Sequence, residues 1–99
     1  MTDFKKKEIE TKSGKKYVLQ HPGVRNVSKI NDRIKNKNGI LSEEKLCDEM
    51  FKHVVVDPKL TIDNFEEYGE MIEVANRAYL FITDTPDPEE SEESSDADN

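Results

Sequence analysis

The chain has no tryptophan, one cysteine, four glycines, four prolines and no long apolar run. Each shortage excludes something. A single thiol, Cys47, cannot close an internal disulfide, so nothing points to an oxidising compartment. No stretch approaches the ~20 apolar residues that span a bilayer. Lys5-Lys6-Lys7 is followed by no apolar segment of the kind a signal peptide needs, so the sequence predicts a cytosolic chain outside any membrane. Gly-rich phosphate loops, nucleophile motifs and cofactor fingerprints are missing, which argues against an enzyme and implies no cofactor.

What is present is charge. Charged residues make up 37% of the 99 residues and hydrophobic ones 33%. A chain this short builds a marginal core, and marginal domains commonly gain stability from partners or self-association. A homo-oligomer therefore stays open. The net charge of -7 is unevenly spread: residues 1–37 carry +7, residues 38–83 carry -6, and residues 84–99 carry -8 with no base. The basic first third and the acidic remainder attract each other, within a chain or between copies, at short range.

Local patterns predict an α+β fold. Phe4–Thr11 and Lys16–Gln20 read as a β-hairpin around Lys12-Ser13-Gly14-Lys15, with Tyr17 and Leu19 on one face and Val18 on the other. His21-Pro22-Gly23 breaks the pattern. Val24, Val27, Ile30 and Ile34 then recur at helical spacing, predicting a helix over about 24–37 that Asn38-Gly39 ends. Ser42 caps a second helix carrying Leu46, Met50 and Val54, with Glu43 and Glu44 in its first turn. That helix should end near His53, before the β-branched Val54-Val55-Val56 and Asp57-Pro58. Asp63-Asn64-Phe65-Glu66 has capping-box spacing and opens a long amphipathic helix over about 64–82. Its stripe runs Phe65, Tyr68, Ile72, Ala75, Tyr79 and Ile82. Gly69 inside it suggests a close contact. The expected organisation is a domain over 1–83, a hairpin packed on about three helices, followed by a disordered acidic tail over 84–99.

Candidate chemistry is sparse. Two isolated histidines and one cysteine do not offer the ligand set of a metal site. Cys47 reads as a small apolar helix residue, because His53 falls on another face. His53 suits a helix C-terminus, where partial positive charge is favourable. Glu66, Glu67, Glu70 and Glu73 lie mostly off the apolar stripe and read as a solvated face rather than an acid/base pair in a cleft. Lys5, Lys6, Lys7, Lys12, Lys15 and Lys16 make a basic hairpin that could contact phosphates, with Phe4 and Tyr17 for stacking. Interleaved Glu8 and Glu10, and the guarding role of lysine on edge strands, count against nucleic acid.

Three segments together resemble the tail assembly chaperones of long-tailed bacteriophages and prophages. They are Gly14–Gly23 with the helix that follows, Glu44–Lys59 with its valine run into Asp57-Pro58-Lys59, and Asp63–Glu66 opening the last helix before the acidic tail. The likeness covers most of residues 10–88. It implies a protein of the bacterial host cytoplasm, absent from the mature virion, that binds the tape-measure protein stoichiometrically, keeps it soluble and helps recruit tail-tube subunits. It also implies that a longer frameshifted product is possible. Helix-in-groove recognition fits such a partner, and Met71, Val74 and Phe81, at the edge of the last helix's stripe, are the candidate partner-binding residues. The alternatives are a small nucleic-acid-binding or regulatory module using the basic hairpin, and a structural tail component.

Overall fold

A computed structural model describes residues 5–84. The expected acidic tail lies outside these residues apart from Asp84, as do residues 1–4 of the expected domain. The fold is α+β: a three-stranded antiparallel sheet and three α-helices. Strand β1 (Lys6–Glu10) pairs with β2 (Lys16–Gln20) in the hairpin that the alternating pattern predicts, with Ile9 opposite Tyr17 and Lys7 opposite Leu19. The turn works because Gly14 sits at φ 91°, a region that costs an L side chain strain. Ile9, Tyr17 and Leu19 face the core and are buried.

Helix α1 (Val24–Arg33) starts after Gly23, itself at φ 100°, and buries Ile30 with Ile34 just beyond it. It is shorter than the sequence periodicity predicts. Asn36 ends it: its side-chain oxygen accepts from the backbone N–H groups of Asn38 (2.8 Å) and Ile40 (3.1 Å), and Lys35 bridges to Leu41. This is the local competition that makes asparagine a turn residue. Helix α2 (Glu43–His53) is capped by Ser42, whose hydroxyl accepts from the Lys45 N–H. It buries Leu46, Cys47, Met50 and Phe51.

The valine run after α2 is more than a helix stop. Val55–Asp57 forms β3, which pairs antiparallel with β2, placing β2 at the centre in the order β1-β2-β3. The Asp57–Pro58 peptide is cis. Next comes a 3-10 turn (Ile62–Asn64), where the capping box lies between Thr61 and Asn64 rather than between Asp63 and Glu66. Helix α3 (Tyr68–Ile82) therefore begins four residues later than its pattern suggests, with Glu67 at its N-cap. Its inward face, Val74, Ala75, Ala78 and Ile82, meets α2 and the sheet in one shared core. Fully burying an aliphatic side chain contributes about 1.5–3 kcal/mol, so this face fixes α3 more firmly than helix propensity does.

Candidate partner-binding surface

Polar contacts lock the hairpin onto α3. Glu70, Glu73 and Arg77 fall on one face of α3. The buried Glu70 carboxylate accepts from the hydroxyls of Tyr17 (2.6 Å), Thr11 (2.9 Å) and Ser13 (2.9 Å). Glu73 accepts from the Lys12 N–H at 3.3 Å and pairs with Arg77 at 3.6 Å, while Arg77 donates to the Glu10 carbonyl at 2.8 Å. Glu70 thus departs from the expected solvated face: three hydroxyl partners, 53, 57 and 59 residues away in sequence, draw it inward. Burial alone would raise its pKa, but the hydrogen bonds from Tyr17, Ser13 and Thr11 and the charge of Lys15 outweigh this and hold it below the ordinary carboxylate value. Burial, and then the bond and charge of Glu70, push the Tyr17 hydroxyl well above its ordinary range. Every buried side-chain polar atom among the described residues has a partner.

Beside this lock lies a cleft of about 580 Å³, walled by Lys15, Lys16 and Tyr17 on the hairpin side and by Asn64, Phe65, Glu66 and Glu67 on the other, with Pro58 and Leu60 between. A second cleft of about 460 Å³, lined by Phe51, Lys52, Lys59 and others, shares Leu60 and Asn64 with it. Their apolar floor is Phe65 and Leu60, both half-buried, and behind Phe65 lie two buried core rings. Phe65 lies 4.9 Å from Phe51 and 6.4 Å from Tyr17, centroid to centroid. The rims carry Lys15, Lys16, Lys52 and Lys59 against Asp48, Glu66 and Glu67. An apolar floor under a charged rim of both signs suits an amphipathic peptide or helix. Leu60 and its neighbours carry no periodic pattern, so the sequence offered no sign of this cleft. Phe65 was visible only as a stripe residue.

The residues singled out on α3 sit elsewhere. Met71 is 8% exposed and Val74 0% exposed, both within the core cluster, so neither is available at the surface. The correction follows from the sheet. With α2 packed alongside and β2 of the sheet against it, α3 is covered on a wider arc than its stripe implied. Phe81 is half-buried, edge-on to His21 with centroids 6.1 Å apart. Gly69 meets nothing that a Cβ would touch, so the expected close contact is not there. Tyr68 lies outside the core, 64% exposed, its hydroxyl donating to Glu43 at 2.5 Å. Ile40 is 61% exposed, on the turn before α2.

Cys47 is buried, and burial, followed by the charges of Glu43 and Asp48, pushes its thiol up to about 11. His53 closes α2 and lies 3.4 Å from Glu49, which also accepts two bonds from Arg33 at 2.8 and 2.9 Å. His21 donates from Nε2 to the Ile82 carbonyl (3.1 Å) and accepts at Nδ1 from the Gly23 N–H (3.0 Å), so the hydrogen bonds fix its tautomer. Among the described residues no group of three or more His, Cys, Asp or Glu stands where it could hold a metal ion. No helix among them is long and apolar enough to cross a membrane. On the outer sheet face Lys16 lies opposite Glu10, and Glu8 follows two residues after Lys6, so the hairpin presents mixed charge rather than a continuous basic stripe. Comparison with family models, curated proteins and solved structures finds no match.

Proposed function

We propose that this chain is a tail assembly chaperone of a long-tailed phage or prophage. It binds the tape-measure protein stoichiometrically and without turnover, keeps it soluble and helps recruit tail-tube subunits. It acts in the bacterial cytoplasm and is left out of the mature virion. One observation supports this reading above the others. The three segments that carry the family resemblance converge on the aromatic cleft: Lys15, Lys16 and Tyr17 from the first, Phe51 and Pro58 from the second, Asn64 and Phe65 from the third. Tyr17 and Phe51 are buried core, but the exposed Lys15, Lys16, Pro58 and Asn64 bring all three segments to one surface, as a common partner would require. The cleft takes one amphipathic helix of the tape-measure protein, its apolar side on Phe65 and Leu60 and its charges on the lysine and glutamate rims. Co-expression with a tape-measure protein from the same genome tests this. The expected result is a soluble complex of fixed stoichiometry, and an unbound, insoluble tape-measure protein contradicts it.

A further inference from the structure

Four large apolar side chains stand exposed among the described residues, and three of them, Ile40, Leu41 and Tyr68, gather at the N-terminal end of α2. Ile40 and Leu41 lead into the helix through its cap, Ser42. Tyr68, at the start of α3, reaches the same turn, where its hydroxyl donates to Glu43. Such clustering is a mark of an interaction surface, whereas single exposed apolar residues are ordinary. Charge divides this end in two. Lys35 bridges to Leu41, and Lys45 Nζ donates to the Lys35 carbonyl at 3.3 Å, so two exposed lysines lie beside Leu41. Glu43 and Lys45 are two residues apart on α2, which sets them about 200° apart around its axis. The carboxylate therefore lies with Tyr68 on one side of the helix, and the lysines lie on the other. Neither lysine has an ion pair among the described residues, and Glu43 faces a neutral hydroxyl rather than a cation. None of these six residues lines either cleft.

We infer that this end of α2 is a two-fold contact between copies of the chain. In a two-fold interface each residue meets residues from the opposite side of the axis in the other copy. An axis through Leu41 places Lys35 and Lys45 of each copy on Glu43 of the other, while Ile40, Leu41 and Tyr68 bury against one another. The patch thus complements itself in charge, and that selects a second copy as its occupant. A patch of one sign would instead call for a partner of the other sign. Three exposed apolar side chains make a small contact, below the ~1,200 Å² of the standard interface class, so the dimer is weak. The net charge of -7 opposes association at a distance. At about 0.15 M salt the screening length is about 8 Å, which damps that repulsion more than it weakens ion pairs in contact. Because the patch is separate from the clefts, the inference does not depend on the chaperone reading.

Sedimentation velocity of the full natural chain at about 0.15 M salt, from micromolar to millimolar concentration, tests it. The expected result is a monomer–dimer equilibrium. The full-length variants Leu41→Asp, K35E/K45E and E43K, each first shown to melt cooperatively, should raise the dissociation constant at least about tenfold, because every substitution acts twice across a two-fold contact. Glu43→Gln keeps an acceptor for the Tyr68 hydroxyl, and it should weaken the dimer in the same direction if E43K does not fold. Mixing gives the sharper result. K35E/K45E carries acids on both sides of the axis and E43K carries bases on both, so an equal mixture should form a heterodimer although neither variant dimerises alone. A natural chain that stays monomeric throughout overturns the proposal. So does a dimer undiminished in Leu41→Asp and K35E/K45E, which places the contact elsewhere, and so does a mixture of the folded charge variants that stays monomeric.

Discussion

Glu70 couples the hairpin to α3 through hydrogen bonds that no aliphatic pair could replace. Its three hydroxyl donors leave little room for substitution. Glu70→Ala strands buried hydroxyls and should lower stability by about 2 kcal/mol or more, measured by denaturant titration. The pH dependence follows from the depressed carboxyl. A carboxylate held below its unfolded value gives stability that is complete above that value, about 4.3 for Glu, and is lost as pH falls through the folded value. Glu49 adds to the same trend, its pKa lowered chiefly by the hydrogen bond from Arg33. Melting temperature should therefore drop between about pH 5 and pH 3, and less steeply for Glu70→Gln. An identical slope for the variant would remove Glu70 from the account. Cys47 offers a second residue-scale check. A buried thiol pushed up to about 11 should resist alkylation at neutral pH in the folded chain and react fully in denaturant.

At the scale of elements, what the sequence made legible and what it left obscure separate along physical lines. The hairpin, Ser42 and the three helices were readable because alternation, a local cap and a 3.6-residue stripe are short-range signals. Strand β3 was not. A β-branched triplet after a helix says only that the helix stops, and its pairing with β2 depends on a contact more than thirty residues away. The capping box was displaced for a related reason: Thr61 and Asn64 compete for the same turn that Asp63 and Glu66 matched in spacing. The surface stayed largely hidden. A stripe shows which side of α3 is apolar but not how wide an arc its neighbours cover, so Met71 and Val74 fell on the wrong side of that boundary. Gly69 gives a direct test of this element. It lies in the first turn of α3 with open space where a Cβ would be. Gly69→Ala should stabilise the domain by about 0.5 kcal/mol through the unfolded chain, seen as a raised melting temperature. A loss of stability would mean that the first turn of α3 is not helical as described.

For the whole molecule, the distribution of charge and apolar surface matters more than any one side chain. The core is shared by the sheet, α2 and α3, and the aromatic cleft opens where the loops between β3 and α3 meet the hairpin. This arrangement lets one domain keep its stability while leaving an apolar floor half-exposed, because Phe65 and Leu60 pack against the core from its edge rather than from within. Mixed charge around the cleft favours orientation and selectivity over raw affinity. Rim substitutions should therefore weaken partner binding while leaving the fold intact. Lys16→Glu with Lys59→Glu changes two exposed residues, and Leu60→Asp changes the half-buried one between the clefts.

The most direct measurement is affinity purification of the tape-measure protein co-expressed with the natural chain and, in parallel, with the K16E/K59E and Leu60→Asp variants, each first shown to melt cooperatively. The account predicts a soluble, stoichiometric complex with the natural chain and at least a tenfold loss of recovered partner, about 1.4 kcal/mol, with each variant. Full recovery with both variants would move the binding surface away from the cleft, and no recovery with the natural chain would contradict the chaperone reading itself.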